Sequence, residues 1–333
     1  MSQRLILVTG GAGFIGSNIV AELAAHESFD VAVCDRLGEA ADGKWRNLAK
    51  HPIADFVEPE DLWTWLEGRG RGTATIVHMG AISSTTEPDV DRIVTTNFCL
   101  SRDLFDWCAR NGRSFIYASS AATYGDGASG FDDDQGFGAL ASLRPLNAYG
   151  WSKALFDLYA TRQSVRAQAP RQWTGLKFFN VYGPNEGHKG PMSSVVAKIW
   201  PDITAGRPVR LFKSYRPNVP DGGQQRDFIY VRDVAKVVAW LVERGDVNGI
   251  YNLGSGRARS FHDLAIAAFK AAGREPKVEF VDMPDGLAAQ YQYFTEARMG
   301  RLSNAGWTDD FTSLEAGVGD YVTGFLATPD PHR

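Results

Sequence analysis

The 333-residue sequence predicts an α/β fold, in which helices cover both faces of a doubly wound parallel sheet. Short apolar runs alternate with longer amphipathic stretches, as expected of buried parallel strands joined by crossover helices. A glycine-rich turn follows the first apolar run, and glycine, proline and arginine become frequent after Asn180. These observations predict a large N-terminal domain and a smaller C-terminal α/β domain.

Five apolar runs are the predicted strands of the parallel sheet, at 5–10, 31–35, 74–80, 114–120 and 175–181. The amphipathic stretches between them predict helices near residues 14–26, 89–111, 148–168 and 192–205. We place the domain boundary at residue 180, so that 1–180 form the first domain and 181–333 mainly the second. Residues 226–245 read as a strand and a helix, and we expect them to return to the first domain.

Composition and charge favour a small-molecule partner. The chain has 35 basic and 39 acidic residues, a net charge of -4, which argues against nucleic acid or an anionic membrane as the main partner. Three cysteines without a CxxC pair, and six histidines without metal-ligand spacing, predict a reducing compartment and no structural metal. The chain enters an apolar strand at once and has no apolar run of about 18 residues, so we predict a cytoplasmic protein.

The segment VTGGAGFIGSN, residues 8–18, predicts a dinucleotide site. Its glycines follow a strand and open a helix, so the backbone can approach a pyrophosphate and the helix N-terminus can face its negative charge. Asp35 stands 19 residues past Gly16, at the end of the second predicted strand. This arrangement is typical of a Rossmann-type fold. We therefore predict that residues 1–180 form a Rossmann-type dinucleotide-binding domain.

The residues after the second strand leave two cofactors open. Asp35 can accept hydrogen bonds from the adenosine ribose, which favours NAD. Arg36 and Lys44 could neutralise a 2′-phosphate, which favours NADP, although both are equally consistent with solvated surface charges. We favour NADP, with NAD as the alternative.

The segment YGWSK, residues 149–153, predicts acid–base chemistry. Tyr149 and Lys153 are one helical turn apart and so share a face. A nearby ammonium lowers the pKa of a phenol from about 10 towards the working pH, which would make Tyr149 a general base for a hydroxyl that loses a hydride. Ser120, at the end of the fourth predicted strand, could hydrogen-bond that hydroxyl; a helix N-cap is the alternative.

Taken together, the glycine turn, Ser120, Tyr149 and Lys153 resemble the extended short-chain dehydrogenase/reductase superfamily, specifically its nucleotide-sugar epimerases and dehydratases. The segments HMGAISS (78–84) and FFNVYGP (178–184) resemble the loops that line the nicotinamide and join the nucleotide and sugar sites there. The resemblance covers nearly the whole chain. It implies cofactor contacts from Gly10, Gly11, Gly13, Phe14, Ile15, Gly16, Asp35, Arg36, Lys44, Met79, Gly80, Ala81, Ser83, Asn97, Tyr149, Lys153, Val181 and Lys189.

The residues after Ser120 bear on the type of reaction. Dehydratases of this superfamily carry a Thr-Asp-Glu run there, whereas this chain has Ala121 and Ala122, so the resemblance disfavours elimination. An epimerase, or a reductase of a nucleotide sugar, remains. A third alternative, a nucleotide-sensing regulator without catalysis, predicts the loss of a Tyr and Lys pair that this chain retains.

Four segments, SSAATYG, PLNAYGWSK, NVYGPNEGHKGPM and YQYFTEA, resemble the epimerases that invert carbon 6 of an ADP-linked heptose. In that family a tyrosine serves one orientation of the hydroxyl and the lysine of the GHKG segment the other. The resemblance therefore implies that Tyr149 and Lys189 are paired acid/base groups, whereas a lone loop lysine is otherwise a solvated one. It also implies a homo-oligomer and a C-terminal domain that mainly binds the substrate. The substrate contacts that it implies are Ser84, Ser120, Asn180, Lys198, Phe212, Arg226 and Tyr291.

Residues 207–232 carry a local charge of +4 inside the acidic chain, which suits a diphosphate, with a basic solvated loop as the alternative. Three features depart from the heptose epimerases: Asn185, Pro191 and the long segment 216–225. All three surround the substrate rather than the cofactor. They leave open which nucleotide sugar is bound.

Overall fold

The computed structural model describes residues 3–134, 136–284 and 291–333. Its strands are β1 (Arg4–Thr9), β2 (Phe29–Cys34), β3 (Asp55–Val57), β4 (Thr75–His78), β5 (Ser114–Ser120), β6 (Gln172–Phe178), β7 (Asn180–Tyr182), β8 (Val209–Phe212), β9 (Gln225–Tyr230), β10 (Gly249–Leu253), β11 (Ala258–Ser260) and β12 (Val278–Val281). Its α-helices are α1 (Phe14–Ala24), α2 (Leu62–Glu67), α3 (Val90–Ile93), α4 (Leu100–Arg110), α5 (Phe137–Ser142), α6 (Ala148–Val165), α7 (Val195–Thr204), α8 (Val231–Arg244), α9 (Phe261–Ala271), α10 (Gly300–Asn304) and α11 (Leu314–Tyr321).

The main sheet has seven parallel strands in the order β10-β6-β5-β4-β1-β2-β3. All five predicted strands belong to it, so the predicted α/β fold with a doubly wound sheet is confirmed. The order reverses between β1 and β4, and ligands of such sheets bind in the crevice at the carboxyl ends of the strands at this point. The edge strands β3 and β10 were not predicted, because one has three residues and the other comes from the C-terminal half.

The two faces of the sheet are covered by different helices, because successive side chains of a strand point in opposite directions. Ile6 and Val8 of β1 pack with Ile19 of α1 and with α8. Leu7, between them, belongs to the opposite face, where Phe105 of α4 packs with residues of α6. This alternation fixes β1 in register at the centre of the sheet.

A second core lies among α7, α9 and α11, around residues such as Val196, Leu264 and Val318. Two small sheets accompany these helices, one of β7, β9 and β11 and one of β8 and β12. Strand β9 belongs to the first of them, whereas α8 packs on α1 and β10 joins the main sheet. The domain boundary at residue 180 stays a prediction; the chain passes between the two cores several times after it.

In the part of the chain that the structure describes, no helix has the length and apolar character needed to cross a membrane. Across the same residues, His, Cys, Asp and Glu form no group of three or more that could hold a metal ion. The three cysteines are free thiols; Cys34 and Cys108 are buried and Cys99 is half-buried.

Candidate active site

A cleft of about 340 Å³ lies at the crevice between β1 and β4. Residues of α6 and of the turn Gly187–Met192 contribute to its wall. Ala118, Phe178 and His188 also line it and were not predicted, although each is close in sequence to a predicted residue. The predicted residues in its walls are Gly10, Gly13, Phe14, Ile15, Gly16, Asp35, Lys44, Met79, Gly80, Ala81, Ser83, Tyr149, Lys153 and Lys189.

The glycine turn cannot carry side chains at two positions. Gly10 has φ +66°, and a Cβ there would lie 2.6 Å from the backbone nitrogen of Gly80. A Cβ on Gly16 would lie 2.1 Å from the carbonyl oxygen of Gly10. The turn therefore packs against the loop after β4 and against its own helix, and it leaves the N-terminus of α1 open to an anionic group. Gly11 is absent from the cleft wall because it faces Val33 of β2.

Asp35 and Lys44 form an ion pair in the cleft wall. The Lys44 ammonium lies 2.7 Å from Asp35 Oδ1, and Asp35 Oδ2 accepts a hydrogen bond of 2.9 Å from the Ala12 amide. Arg36 does not join them, because its exposed guanidinium pairs with Glu60. Of the two basic residues predicted beside Asp35, only Lys44 therefore contributes its charge to the cleft.

Helix α6 presents Tyr149 and Lys153 to the cleft. Its first turn is capped by Asn147, whose Oδ1 accepts a hydrogen bond of 2.8 Å from the Gly150 amide. Burial lowers the pKa of Lys153 to about 8, and the nearby Asp157 carboxylate acts against this shift. Burial also raises the pKa of Tyr149, against a hydrogen bond with Ser120 that lowers it. The predicted lowering of the Tyr149 pKa is therefore wrong for this structure, because burial outweighs the neighbouring groups.

Ser120 is an N-cap, which is the alternative predicted for it, and its hydrogen bond to the reacting hydroxyl stays a prediction. Its Oγ accepts a hydrogen bond of 3.1 Å from the Ala122 amide and so caps the 3₁₀ turn Ala121–Tyr124. It also hydrogen-bonds the Tyr149 side chain. A hydroxyl can accept one bond while donating another, so capping does not remove Ser120 from the cleft chemistry.

The turn Gly187–Met192 brings Lys189 into the same cleft as Tyr149 and Lys153. Lys189 is half-buried, with its ammonium 5.0 Å from the centre of the Phe14 ring. Gly190 makes the turn possible with φ 51° and ψ −123°, a conformation that other residues rarely adopt. Burial lowers the pKa of Lys189, whereas the Glu186 carboxylate raises it. A solvated surface lysine would show none of these features.

Several predicted cofactor and substrate residues lie outside the cleft wall. Asn97 sits in a π-helical turn between α3 and α4, where its amide bonds both backbone groups of Ile82 and the Ser152 hydroxyl. It therefore anchors the loop after β4 to α6. Asn180 is exposed and Val181 half-buried in β7, while the Ser84 hydroxyl contacts that of Thr86.

A second cavity, of about 260 Å³, lies in the C-terminal half beside α7 and β8. The predicted residues Lys198, Phe212 and Tyr291 line it. The buried Arg226 guanidinium stands 5.3 Å from the centre of the Tyr291 ring and 5.6 Å from that of Phe261. Aromatic walls with an adjacent guanidinium suit a flat base joined to a phosphate.

The basic residues predicted to form a cluster at 207–232 mostly pair with acidic residues in the structure. Four of its members are engaged by acidic partners, in the pairs Arg207–Asp202, Arg210–Glu279, Lys213–Asp282 and Arg232–Asp320. Arg216, in the long segment, stacks on the Tyr293 ring at 4.2 Å. Arg210 is the member that lines the cavity, and it pairs with Glu279, whereas Arg226 lies against the Tyr291 and Phe261 rings of the cavity wall.

Three comparisons relate this architecture to known proteins. Residues 6–254 match the family model described as the NAD dependent epimerase/dehydratase family. The chain is 46% identical, over 98% of its length and 100% of the relative, to an ADP-L-glycero-D-manno-heptose-6-epimerase of Nitratidesulfovibrio vulgaris. A crystal structure of the Helicobacter pylori enzyme of the same name superposes with a TM-score of 0.80 at 26% identity, covering 97% of this chain and 96% of that one.

A UDP-glucose 4-epimerase of Thermus thermophilus, solved in complex with NAD, superposes with a TM-score of 0.73 at 28% identity. The match covers 95% of this chain and 97% of that chain. Sequence and structure comparisons thus point to the same group of sugar-nucleotide enzymes.

Proposed function

The chain belongs to the NAD dependent epimerase/dehydratase family, and we propose that it is an ADP-L-glycero-D-manno-heptose 6-epimerase. Such an enzyme inverts carbon 6 of ADP-D-glycero-D-manno-heptose by oxidation and re-reduction, a step towards the heptose of the lipopolysaccharide core. The observation that carries the proposal is the shared cleft of Tyr149 and Lys189 beside the dinucleotide turn.

Inversion at one carbon requires proton transfer in two orientations. The hydroxyl of one epimer points away from the position it takes in the other, so a single fixed base cannot reach both. Tyr149 comes from α6 and Lys189 from the turn Gly187–Met192, two separate walls of the cleft. We assign Tyr149 to one epimer and Lys189 to the other, each acting as base in one direction and as acid in the reverse.

The cleft fits a nicotinamide dinucleotide, since the turn at Gly10 and Gly16 leaves no room for side chains and opens onto the N-terminus of α1. Bound there, the dinucleotide would supply the acceptor and donor for the hydride of carbon 6. The buried Lys153 would hold the nicotinamide ribose and orient Tyr149. Ser120 would hydrogen-bond the reacting hydroxyl together with Tyr149.

We favour NADP over NAD as the finer identity of the cofactor. The support is the ion pair in which Lys44 neutralises Asp35, because an unpaired carboxylate would repel a 2′-phosphate. NAD remains the alternative.

The ADP end of the substrate would occupy the second cavity. The adenine would lie among Phe212, Tyr291 and Phe261, and the diphosphate would meet Arg226 and Lys198. We therefore expect the heptose to lie towards Lys189, because Lys198 lines the cavity and its charge acts on Lys189. The homo-oligomer implied by the resemblance stays a prediction.

An NMR time course tests this function directly. Purified protein is incubated in heavy water with ADP-D-glycero-D-manno-heptose and no added cofactor. We expect conversion to the carbon 6 epimer without deuterium in the sugar, because the hydride stays inside the protein. Deuterium at carbon 5 or carbon 7 would indicate enolisation instead, and absence of conversion would overturn the assigned substrate.

A further inference from the structure

Glu186 is a buried carboxylate three residues before Lys189, and the resemblance assigns no role to it. It is 1% exposed. Its Oε2 accepts a hydrogen bond of 2.5 Å from the Ser194 amide, and its Oε1 accepts one of 2.5 Å from the Ser194 hydroxyl. The Tyr321 hydroxyl of α11 is a further partner. A buried charge of this kind is costly unless it is hydrogen-bonded, and here three donors surround it.

Glu186 is coupled to Lys189 in two ways, one through the backbone and one through the charge of its carboxylate. The Lys189 amide donates a hydrogen bond of 3.0 Å to the Glu186 carbonyl, which shapes the turn. The negative charge of Glu186 also acts on the Lys189 ammonium and raises its pKa, against burial and the positive Lys198. Glu186 thus opposes burial and the charge of Lys198, which both favour loss of the proton from Lys189.

The backbone of the same turn has other anchors. Asn185, with φ 72°, donates a hydrogen bond of 3.0 Å to the Ser17 hydroxyl of α1. The Asn47 amide contacts the Asn185 carbonyl and the His188 ring, both at 3.3 Å. Because these contacts do not involve the Glu186 side chain, its charge can be removed while the turn stays attached to α1.

Glu186 also connects the turn to the second cavity. Ser194, its main partner, is the N-cap of α7, where its hydroxyl accepts a bond of 3.4 Å from the Ala197 amide. One turn further along α7 stands Lys198, in the wall of that cavity. The Glu186 carboxylate therefore joins the turn that carries Lys189 to the helix that carries Lys198.

We propose that Glu186 is a positioning residue for the epimerisation, which holds the Lys189 turn against α7 and keeps the Lys189 side chain charged in the cleft. The inference rests on the proposed function for Lys189 as one of the two acid/base groups. Lys189 must carry a proton to donate to one face of the sugar. A buried lysine without an opposing carboxylate would lose that proton more easily.

The groups that face this pair come from several elements. Lys198 of α7 repels the Lys189 ammonium, and Tyr321 of α11 donates to Glu186. Tyr149 and Lys153 of α6 share the cleft, and His188 in the turn interacts with Lys44. Of the charged groups that act on Lys189, Glu186 is the one that stabilises its protonated form. Its removal should therefore lower the Lys189 pKa.

The test compares the wild-type holoenzyme with Glu186→Gln, which keeps the size of the side chain and removes the charge. The Lys189 pKa is measured by NMR titration of 13C-labelled lysine between about pH 6 and pH 10, with Lys189→Arg to assign the signal. We expect the Lys189 pKa to fall, because the negative charge that favours its protonated form is gone. The basic limb of the kcat/KM profile should move to lower pH by a similar amount.

Glu243→Gln is the matched control, since it removes an equal charge from an exposed residue of α8 that pairs with His26. It should leave the Lys189 pKa and the basic limb of the kcat/KM profile unchanged. Unchanged Lys189 titration in a folded Glu186→Gln variant would overturn the proposal. If Glu186→Gln fails to fold, Ser194→Ala removes one donor from the carboxylate and should shift the Lys189 pKa in the same direction by less; no shift would then overturn it.

The two readouts separate this inference from the proposed function. Lysine titration requires no substrate, so a shifted Lys189 pKa in a protein that fails to epimerise the ADP-heptose would support the coupling and reject the substrate. Normal epimerisation with an unshifted Lys189 pKa would support the proposed substrate and reject the coupling between Glu186 and Lys189.

Discussion

The Lys189 ammonium lies 5.0 Å from the centre of the Phe14 ring. Phe14 is the first residue of α1, directly after the glycine turn, whereas Lys189 belongs to a turn 175 residues later in the chain. The contact joins the C-terminal part of the cleft to the dinucleotide turn. A cation over an aromatic face gains about 0.5–2 kcal/mol, so Phe14 helps to hold the lysine in the cleft.

Removal of either acid/base group should abolish epimerisation while the protein retains its cofactor. We expect Tyr149→Phe and Lys189→Ala each to lower kcat by about 10²–10⁴-fold, the usual contribution of general acid–base catalysis. The NMR time course measures the rate, and absorbance of the denatured protein measures retained cofactor. Lys236→Ala, at an exposed residue of α8, is the control and should have wild-type activity. Near-full activity of both single variants would refute the two-base assignment.

Lys153 should reduce stability at neutral pH, because its pKa of about 8 lies below the usual 10.5 of a lysine. Between these two pH values the unfolded state binds one more proton than the folded state. The loss of stability caused by the buried Lys153 is therefore complete below about pH 8 and disappears above about pH 10.5. Lys153→Met should raise the free energy of unfolding by about 1–3 kcal/mol at pH 7. Asp157 keeps a partner in Lys177, at 2.7 Å.

Urea denaturation of Lys153→Met and wild type, both stripped of cofactor, at pH 7 and at higher pH measures this gain, because a bound cofactor would itself stabilise the wild type. It should shrink as the pH rises, while activity and cofactor retention are lost at every pH. A pH-independent difference would mean that packing rather than charge causes it.

Lys44 should set the preference between the two cofactors. In Lys44→Ala the Asp35 carboxylate loses its ion pair, so it repels a 2′-phosphate and is free to bond a ribose hydroxyl. We expect the ratio of NADP to NAD affinity to fall by at least about tenfold, which corresponds to about 1.4 kcal/mol. Calorimetric titration of protein stripped of its cofactor measures both affinities. Arg36→Ala, which frees Glu60, should change the ratio less; equal loss of both affinities in Lys44→Ala would contradict the assignment.

The glycine turn should be intolerant of a single methyl group. In Gly16→Ala the new Cβ would meet the Gly10 carbonyl at 2.1 Å, so we expect a loss of more than about 3 kcal/mol of stability, together with cofactor binding. Gly138 in α5 is the matched control, because a Cβ there meets nothing within 4 Å. Gly138→Ala should be neutral or stabilising by up to about 1 kcal/mol. Thermal unfolding measures the stability of both variants. An equal change of stability in the two would show that the backbone around Gly16 shifts to make room for the new Cβ.

Arg226 should bind the nucleotide of the substrate and have no part in cofactor binding. Arg226→Lys removes the planar guanidinium between Tyr291 and Phe261, and we expect about tenfold weaker ADP binding. Calorimetric titration with ADP measures this change. Arg207→Lys, at an exposed residue paired with Asp202, should bind ADP as the wild type does. If both variants bind equally well, the second cavity is not the ADP site.

The sequence predicted the strands of the main sheet well, because each is a nearly continuous apolar run. It missed β10, whose five buried residues lie in a region rich in turns, and they join the sheet only because α8 returns to α1. The cofactor contact that the resemblance implies for Asn97 stays a prediction; in the structure its amide bonds Ile82 and Ser152. Residue type and position cannot distinguish a side chain that contacts the cofactor from one that holds a neighbouring loop, because both roles require a polar side chain at the same place.

The sequence by itself determined the parallel sheet, the dinucleotide turn and the Tyr149–Lys153 spacing, since all three depend on residues close together in the chain. The tertiary structure decided which charges meet. It paired Lys44 rather than Arg36 with Asp35. It gave most of the basic residues around Arg226 acidic partners such as Asp202. It also buried Tyr149, which raises the pKa that the sequence was expected to lower. It also brought Glu186 to Ser194 and Tyr321. Electrostatic interactions and burial depend on distance in space, which sequence spacing does not specify beyond a helical turn.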